Sequence, residues 1–214
     1  MVLRRIVTRS PDLLLRAVRS LAYHTYLLKL GNRQFEGLHL GSGTTRINGF
    51  CNIDANPLAL CDIVATIEPI KLRANSVNTI YSSHVLEHIP RERAKKVLAD
   101  WHRVLKPGGK LYLCVPDLEV LSRVYLDNLP FYGTEEGRYL VDRACYLAYG
   151  GQTNKYDFHY NGYSFVTLQQ LLESVGFTNV DRFDRTRLAF APPFDISLVK
   201  IGDMNMSLNV EASK

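Results

Sequence analysis

Two groups of residues in this 214-residue chain have the types and spacing to do chemistry. The first pairs backbone room with a carboxylate. Gly41-Ser42-Gly43 follows the apolar run Leu38 to Leu40, and Asp54 closes a second run that begins at Phe50. Glycines tolerate positive φ and let a ligand approach the backbone. A carboxylate at the end of a neighbouring parallel strand can accept both hydroxyls of a ribose. Ala55 beside that acid, and Ser83 with His84 in a later polar turn, complete a candidate binding set. The second group handles protons: His88 after Glu87, Asp117 after Val115-Pro116, and Asp157 two residues before His159. An acid so placed can orient an imidazole, and an imidazole titrates where a general base is needed. His159 is the first candidate for that base, with Asp117 and His88 next; His84 is expected to shape the binding pocket. No metal is expected. His84 and His88 have the spacing of a helical ligand pair, but they precede Pro90 in an expected loop, with no cysteine or third histidine near them in sequence.

These residues need a scaffold, and the pattern supplies one. Leu38–Leu40, Phe50–Asp54, Ser76–Tyr81 and Lys110–Val115 read as strands, the last followed by Pro116-Asp117. Pro90 opens a helix over Arg91–Leu105 with Ala94, Leu98, Trp101 and Leu105 on one face, and Pro107-Gly108-Gly109 turns from it into the next strand. Helices are expected over about Leu118–Leu126, Glu135–Tyr149 and Thr167–Val175, with strands over Asn179–Asp184 and Ser207–Ala212. Asp195–Val199 reads as a further strand or part of a hairpin. Strand-to-helix alternation of this kind builds an α/β sheet whose ligands bind beyond the carboxyl ends of the strands. A dinucleotide fingerprint is excluded. Its third glycine position is Arg46, and Asp54 follows Gly41 by only 13 residues, too few for a crossover helix of about a dozen residues.

Four segments in order, Leu38-His39-Leu40-Gly41-Ser42-Gly43, Asn52-Ile53-Asp54, Ser82-Ser83-His84-Val85-Leu86-Glu87-His88 and Arg103-Val104-Leu105-Lys106-Pro107-Gly108-Gly109, resemble the class I S-adenosylmethionine-dependent methyltransferases. The resemblance is close over about residues 36–120 and looser beyond. It implies a single Rossmann-like, doubly wound domain over residues 34–214. Its sheet would be mostly parallel and seven-stranded, with an antiparallel last strand and helices on both faces. It implies S-adenosylmethionine as cofactor, with the loop after the fourth strand against its adenine and methionine parts. The chain departs from the family at Thr45, where a third glycine is usual, and at Asn78, where an acid is common. Thr66 stands where many members hold the adenine amine with an acid, with Glu68 as a stand-in.

The acceptor side is set by composition. Residues 131–165 hold ten of the chain's 22 aromatics, and Gly150–Gly162 is polar, irregular and glycine-punctuated. An insertion over about residues 128–165 is therefore expected to be a substrate lid. Tyrosine offers an apolar face and a polar tip, which suits sugars. The whole-length pattern is similar to bacterial methyltransferases of polysaccharide and glycolipid pathways, and a sugar or glycolipid hydroxyl is the leading acceptor it implies. The rivals are methyl transfer to nitrogen or carbon of a small metabolite, and a non-catalytic nucleoside-binding or membrane-associated scaffold.

Charge separates an arm from the domain. Residues 1–33 carry seven Lys/Arg against one acid, while the remaining residues carry 19 against 20. Ser10-Pro11-Asp12 is a helix start and Gly31 a stop, with Leu14, Val18, Leu21 and Leu28 as an apolar stripe between them. Such a helix packs on the domain, or it lies against an anionic membrane through residues 1–30. Nucleic acid is not the expected partner, since the domain is near neutral. Cys51, Cys61, Cys114 and Cys145 lack metal-ligand spacing and read as free thiols. With no signal peptide pattern, a cytoplasmic location is expected, peripheral at the inner membrane if the arm engages it. Nothing in the sequence sets an oligomeric state.

Overall fold

The computed structural model describes residues 35–201 and 203–214, so the basic arm, its expected helix and its membrane contact lie outside the described residues. Along the chain run β1 (Gly37–Leu40), β2 (Phe50–Asp54), β3 (Ile63–Val64), β4 (Val77–Ser83), α1 (Arg91–Val104) and β5 (Leu105–Pro116). Then come α2 (Leu118–Asn128), α3 (Glu135–Tyr149), α4 (Phe165–Glu173), β6 (Thr178–Arg182), β7 (Lys200–Ile201), β8 (Met204–Asn205) and β9 (Ser207–Ser213). The main sheet has seven strands in the order β3-β2-β1-β4-β5-β9-β6. β1 to β5 pair in parallel, and β9 inserts antiparallel between β5 and β6. This is the Rossmann-like arrangement expected from the sequence. The strand order reverses at β1, and in an open α/β sheet the carboxyl ends of the strands beside such a switch point are where a ligand crevice forms.

Alternation along the strands decides which side chains meet. Leu38, Leu40, Ile80, Leu111, Leu113, Leu208 and Val210 point to one face, where they pack with Val97, Leu98 and Trp101 of α1 and Leu168 and Leu172 of α4. The other face presents Phe50, Tyr81 and Cys114, and within the described residues it is covered by Phe183, Leu188 and Ala191 from the segment after β6. Burial, reinforced by the Asp62 carboxylate, pushes the Cys51 thiol up to about 12, which fits an inert core cysteine. α2 and α3 form a helical hairpin closed by Leu121, Val124, Ala144 and Leu147.

Three local expectations are corrected. Strand β5 begins at Leu105, and the Lys106–Gly109 turn is a bulge inside it, because Leu105 pairs with Val77 and Lys110 already pairs with Thr79. Helix α4 starts at Phe165, two residues early. The hydroxyl of Ser164 accepts from Thr167 N–H while Thr167 Oγ1 accepts from Ser164 N–H, a reciprocal cap that fixes the start. Asp195–Val199 is no strand: Asp195 accepts from Ser197 N–H at 2.8 Å and caps a 3₁₀ turn, Ile196–Leu198. Among the described residues no helix is long and apolar enough to cross a membrane.

Candidate active site

One cavity of about 600 Å³ sits over the carboxyl ends of β1, β2 and β4. Its floor begins at the turn after β1. Gly41 has φ +72°, and a Cβ there would lie 2.1 Å from Val85 Cγ2, so only glycine lets the β1 turn and the loop after β4 approach this closely. Gly43 has φ +53° and open space where its Cβ would stand. Thr45, in place of a third glycine, closes the turn by donating from N and Oγ1 to Ser42 O at 2.9 and 3.1 Å. Asp54 locks the turn to β2: its Oδ2 accepts from Gly43 N–H at 2.8 Å and its Oδ1 from Asn56 N–H at 2.7 Å. Each carboxylate oxygen keeps a further lone pair, and Asp54 lines the cavity.

The wall beyond β3 is held by α1. Arg103 donates to Ile70 O and Leu72 O, both at 2.7 Å, and Asp100 accepts from Ile70 N–H at 2.6 Å. Buried Trp101 donates to Ile67 O at 3.0 Å. These bonds fix the stretch that brings Thr66, Ile67 and Glu68 to the cavity. Glu68 is engaged by Arg93 at 2.8 Å and Lys96 at 3.1 Å, which hold its carboxyl below its usual range against the cost of burial. Its charge is thus already paired. Asn78 lies on the exposed early part of β4, away from the cavity lining.

The opposite end is built by the turn after β4 and by residues 155–159. His84, at φ +54°, turns the chain so that the 3₁₀ turn Leu86–His88 carries Leu86 and Glu87 inward. Glu87 is fully buried, and neither carboxylate oxygen accepts a well-aligned hydrogen bond from a described residue. His84 Nδ1 stands 3.1 Å from its Oε1. Burial penalises this carboxylate, yet the imidazole of His84, helped by His88 and His159, holds it below its ordinary range. The backbone carbonyl of Glu87 accepts from Tyr160 N–H at 2.7 Å, pinning the aromatic segment to the turn. The rings of His88 and His159 meet edge to face, their centroids 4.6 Å apart.

Their tautomers follow from their partners. His88 Nδ1 is 3.0 Å from Phe158 O, and His159 Nδ1 is 3.0 Å from Leu147 O. A carbonyl only accepts, so both Nδ1 atoms carry hydrogen, and in the neutral form of either ring the lone pair is at Nε2. Burial pushes His159 below the usual histidine value, and the Glu87 carboxylate pulls it partway back.

Gly41, Ser42, Gly43, Asp54, Ala55, Thr66, Ser83 and His84 all line this one cavity. The four proton-handling candidates separate. His88 lines the cavity and His159 packs behind it. Asp117 caps α2 and pairs with Arg182 at 3.2 Å, and it does not line the cavity. Asp157 does not orient His159: Gly151 N–H and the N–H and hydroxyl of Thr153 take its carboxylate, as a turn of this length requires. Tyr156, Phe158 and Lys155 of the aromatic segment do face the cavity. Sequence reasoning treats Glu87 only as the neighbour of His88, because no local periodicity announces that a 3₁₀ turn will bury it. The absence of a third histidine near His84 and His88 is likewise a property of the sequence alone, since the fold brings His159 to them.

A second buried charge set braces the far wall. Arg185 donates to Tyr81 Oη at 2.9 Å and Pro192 O at 2.6 Å, and pairs with Asp195, which also accepts from Tyr81. Phe194, Asp195 and Ile196 thereby line the cavity.

Residues 25–113 match the family model described as a methyltransferase domain, a span that contains Gly41, Asp54, His84, Glu87 and His88. Among solved structures, a SAM-dependent methyltransferase from Archaeoglobus fulgidus is similar with a TM-score of 0.50 and 15% identity, over 96% of this chain and 100% of that one. A second, from Methanosarcina mazei, is similar with a TM-score of 0.50 and 16% identity, over 88% and 96% of the two chains. At these identities the likeness is one of fold. No curated protein matches the sequence.

Proposed function

We propose that this class I S-adenosylmethionine-dependent methyltransferase delivers its methyl group to a hydroxyl oxygen of a small glycan or glycolipid acceptor. The cofactor end fits the nucleoside. Asp54 offers two carboxylate lone pairs at the end of β2, and Gly43 leaves open space beside them. Gly41, Ser42, Ala55, Thr66, Ser83 and His84 complete the proposed cradle. With Glu68 paired to Arg93 and Lys96, Thr66 is the better candidate beside the adenine. When bound, S-adenosylmethionine supplies an electrophilic methyl group on a sulfonium.

The observation that carries the oxygen reading is that His88 shares the cavity with Asp54 and is backed by His159 and buried Glu87. A hydroxyl must shed its proton as its oxygen is alkylated, whereas an amine acceptor needs no strong base. Glu87, His88 and His159 form the polar cluster at which that proton is given up. The sugar reading rests on Tyr156 and Phe158, whose rings line the same end and can stack on a pyranose face, with Lys155 beside them for a charged group. Those three residues act as the inner surface of the lid.

The test is methyl transfer from labelled cofactor to a panel of sugars, nucleotide sugars and lipid-linked glycans, with the methylated atom located by mass spectrometry. The expected product is an ether, and His88→Gln is expected to lower kcat by about 10²–10⁴ while cofactor binding is retained. A product methylated on nitrogen or carbon refutes the acceptor assignment.

A further inference from the structure

The structure assigns a divalent metal site to Glu87, His88 and His159, and we propose that Zn²⁺ bound there is what takes the acceptor's proton. One ligand atom from each of the three lies within 4.8 Å of the other two. In a tetrahedral site with bonds of about 2.0–2.2 Å, ligand atoms sit roughly 3.3–3.6 Å apart, so closure requires shifts on the order of 1 Å.

Three observations point to an ion rather than to a packed polar cluster. The Glu87 carboxylate is fully buried, and both its oxygens lack a well-aligned hydrogen bond among the described residues. His84 Nδ1 faces Oε1 at 3.1 Å, which leaves Oε2 with no partner among the described residues and open to a cation. Next, both histidines are set in the tautomer that ligates. Each donates Nδ1–H to a backbone carbonyl, Phe158 O and Leu147 O, which in the neutral ring leaves Nε2 as the ligating atom. Such a second hydrogen bond accompanies nearly every metal-bound imidazole and fixes its ring. Last, the cluster borders the cavity through His88, so a bound ion would keep a position open to water and acceptor, as a catalytic zinc with three protein ligands does.

The three ligands come from two distant stretches, 87–88 and 159, and the bond from Tyr160 N–H to Glu87 O holds those stretches together without metal. His84 is held out of the set. Its Nδ1 faces Glu87 Oε1 while its Nε2 is 2.9 Å from Ser207 Oγ, so it orients the carboxylate from behind.

The site stands on geometry alone; its role rests on the hydroxyl-acceptor reading above. A zinc-bound water ionises near pH 7, and the resulting hydroxide takes the proton of the acceptor hydroxyl and becomes bound water again. That water returns its proton to solvent, so the ion is not consumed.

The experiment uses the full chain, stripped with chelator and titrated with Co²⁺ followed by visible absorption, then with Zn²⁺ in competition. One equivalent of Co²⁺ should develop saturable d–d bands that one equivalent of Zn²⁺ abolishes. His159→Ala and His88→Ala, each confirmed folded by circular dichroism, should weaken Co²⁺ binding by about 100-fold or more. His102→Ala, on the remote side of α1, should bind as wild type. Absence of saturable bands, or unchanged affinity in both ligand variants, overturns the site. Metal binding without transfer to any hydroxyl refutes the acceptor reading and leaves the site standing. Hydroxyl transfer at full rate in the stripped protein overturns the ion's role in taking the proton and leaves the acceptor reading standing.

Discussion

Gly41→Ala carries the sharpest consequence of the site's geometry. The substitution places a side chain at φ +72° with its Cβ 2.1 Å from Val85 Cγ2 and 3.3 Å from Cγ1. Holding an L-residue in the left-handed region costs about 1–2 kcal/mol. Relieving the overlap means displacing the β1 turn or the loop after β4, an overpacking cost of about 1–3 kcal/mol. The single variant should therefore lose about 2–5 kcal/mol of stability. Val85→Ala removes both offending methyl groups and should itself cost about 1–3 kcal/mol. In the double variant only the backbone term and the lost methyl groups persist, so the cycle should show a favourable coupling of about 1–3 kcal/mol. Urea unfolding of all four proteins measures it. Coupling below about 0.5 kcal/mol would mean that Val85 does not press on Gly41, and the account of how the β1 and β4 loops are brought together would fail.

Arg185→Met should destabilise the fold by about 3–5 kcal/mol, because it strands the Asp195 charge in a buried wall; a loss under about 1 kcal/mol by chemical denaturation would contradict the pairing. Burial, only partly offset by the hydrogen bond with Asn52, lowers His39 from the ordinary 6.5. Below that value the unfolded chain binds a proton that the folded chain refuses, so stability should fall as pH drops beneath 6.5 and be flat in this respect above it. His39→Gln should make that acid slope shallower by up to about 1.4 kcal/mol per pH unit, measured by urea midpoints from pH 7.5 to 5. An unchanged slope would show that His39 does not titrate in this way.

Much of this site could be read from residue order, and the remainder shows where local pattern stops. Gly41, Gly43 and Asp54 are legible because strand ends, glycine turns and a 13-residue step are all properties of nearby sequence. Ser83 and His84 follow from a strand emptying into a polar loop. The acid that orients a histidine is not legible in this way. Asp157 sits two residues from His159 and is spent on Gly151 and Thr153, whereas Glu87 sits 72 residues away and faces it. Spacing of two promises proximity only if the intervening chain is straight, and here it is a turn. The same limit hid the third member of the histidine cluster. Helix α4 shows a milder failure: the sequence reading starts it at Thr167, but the cap is Ser164.

Binding of S-adenosylmethionine in the cavity over β1, β2 and β4 through Asp54 is tested by calorimetry with S-adenosylhomocysteine on the full chain. The account predicts saturable binding at one equivalent, weakened roughly 100-fold or more in Asp54→Ala by loss of two charge-assisted hydrogen bonds. No heat of binding in the wild type, or equal affinity in the variant, would contradict it.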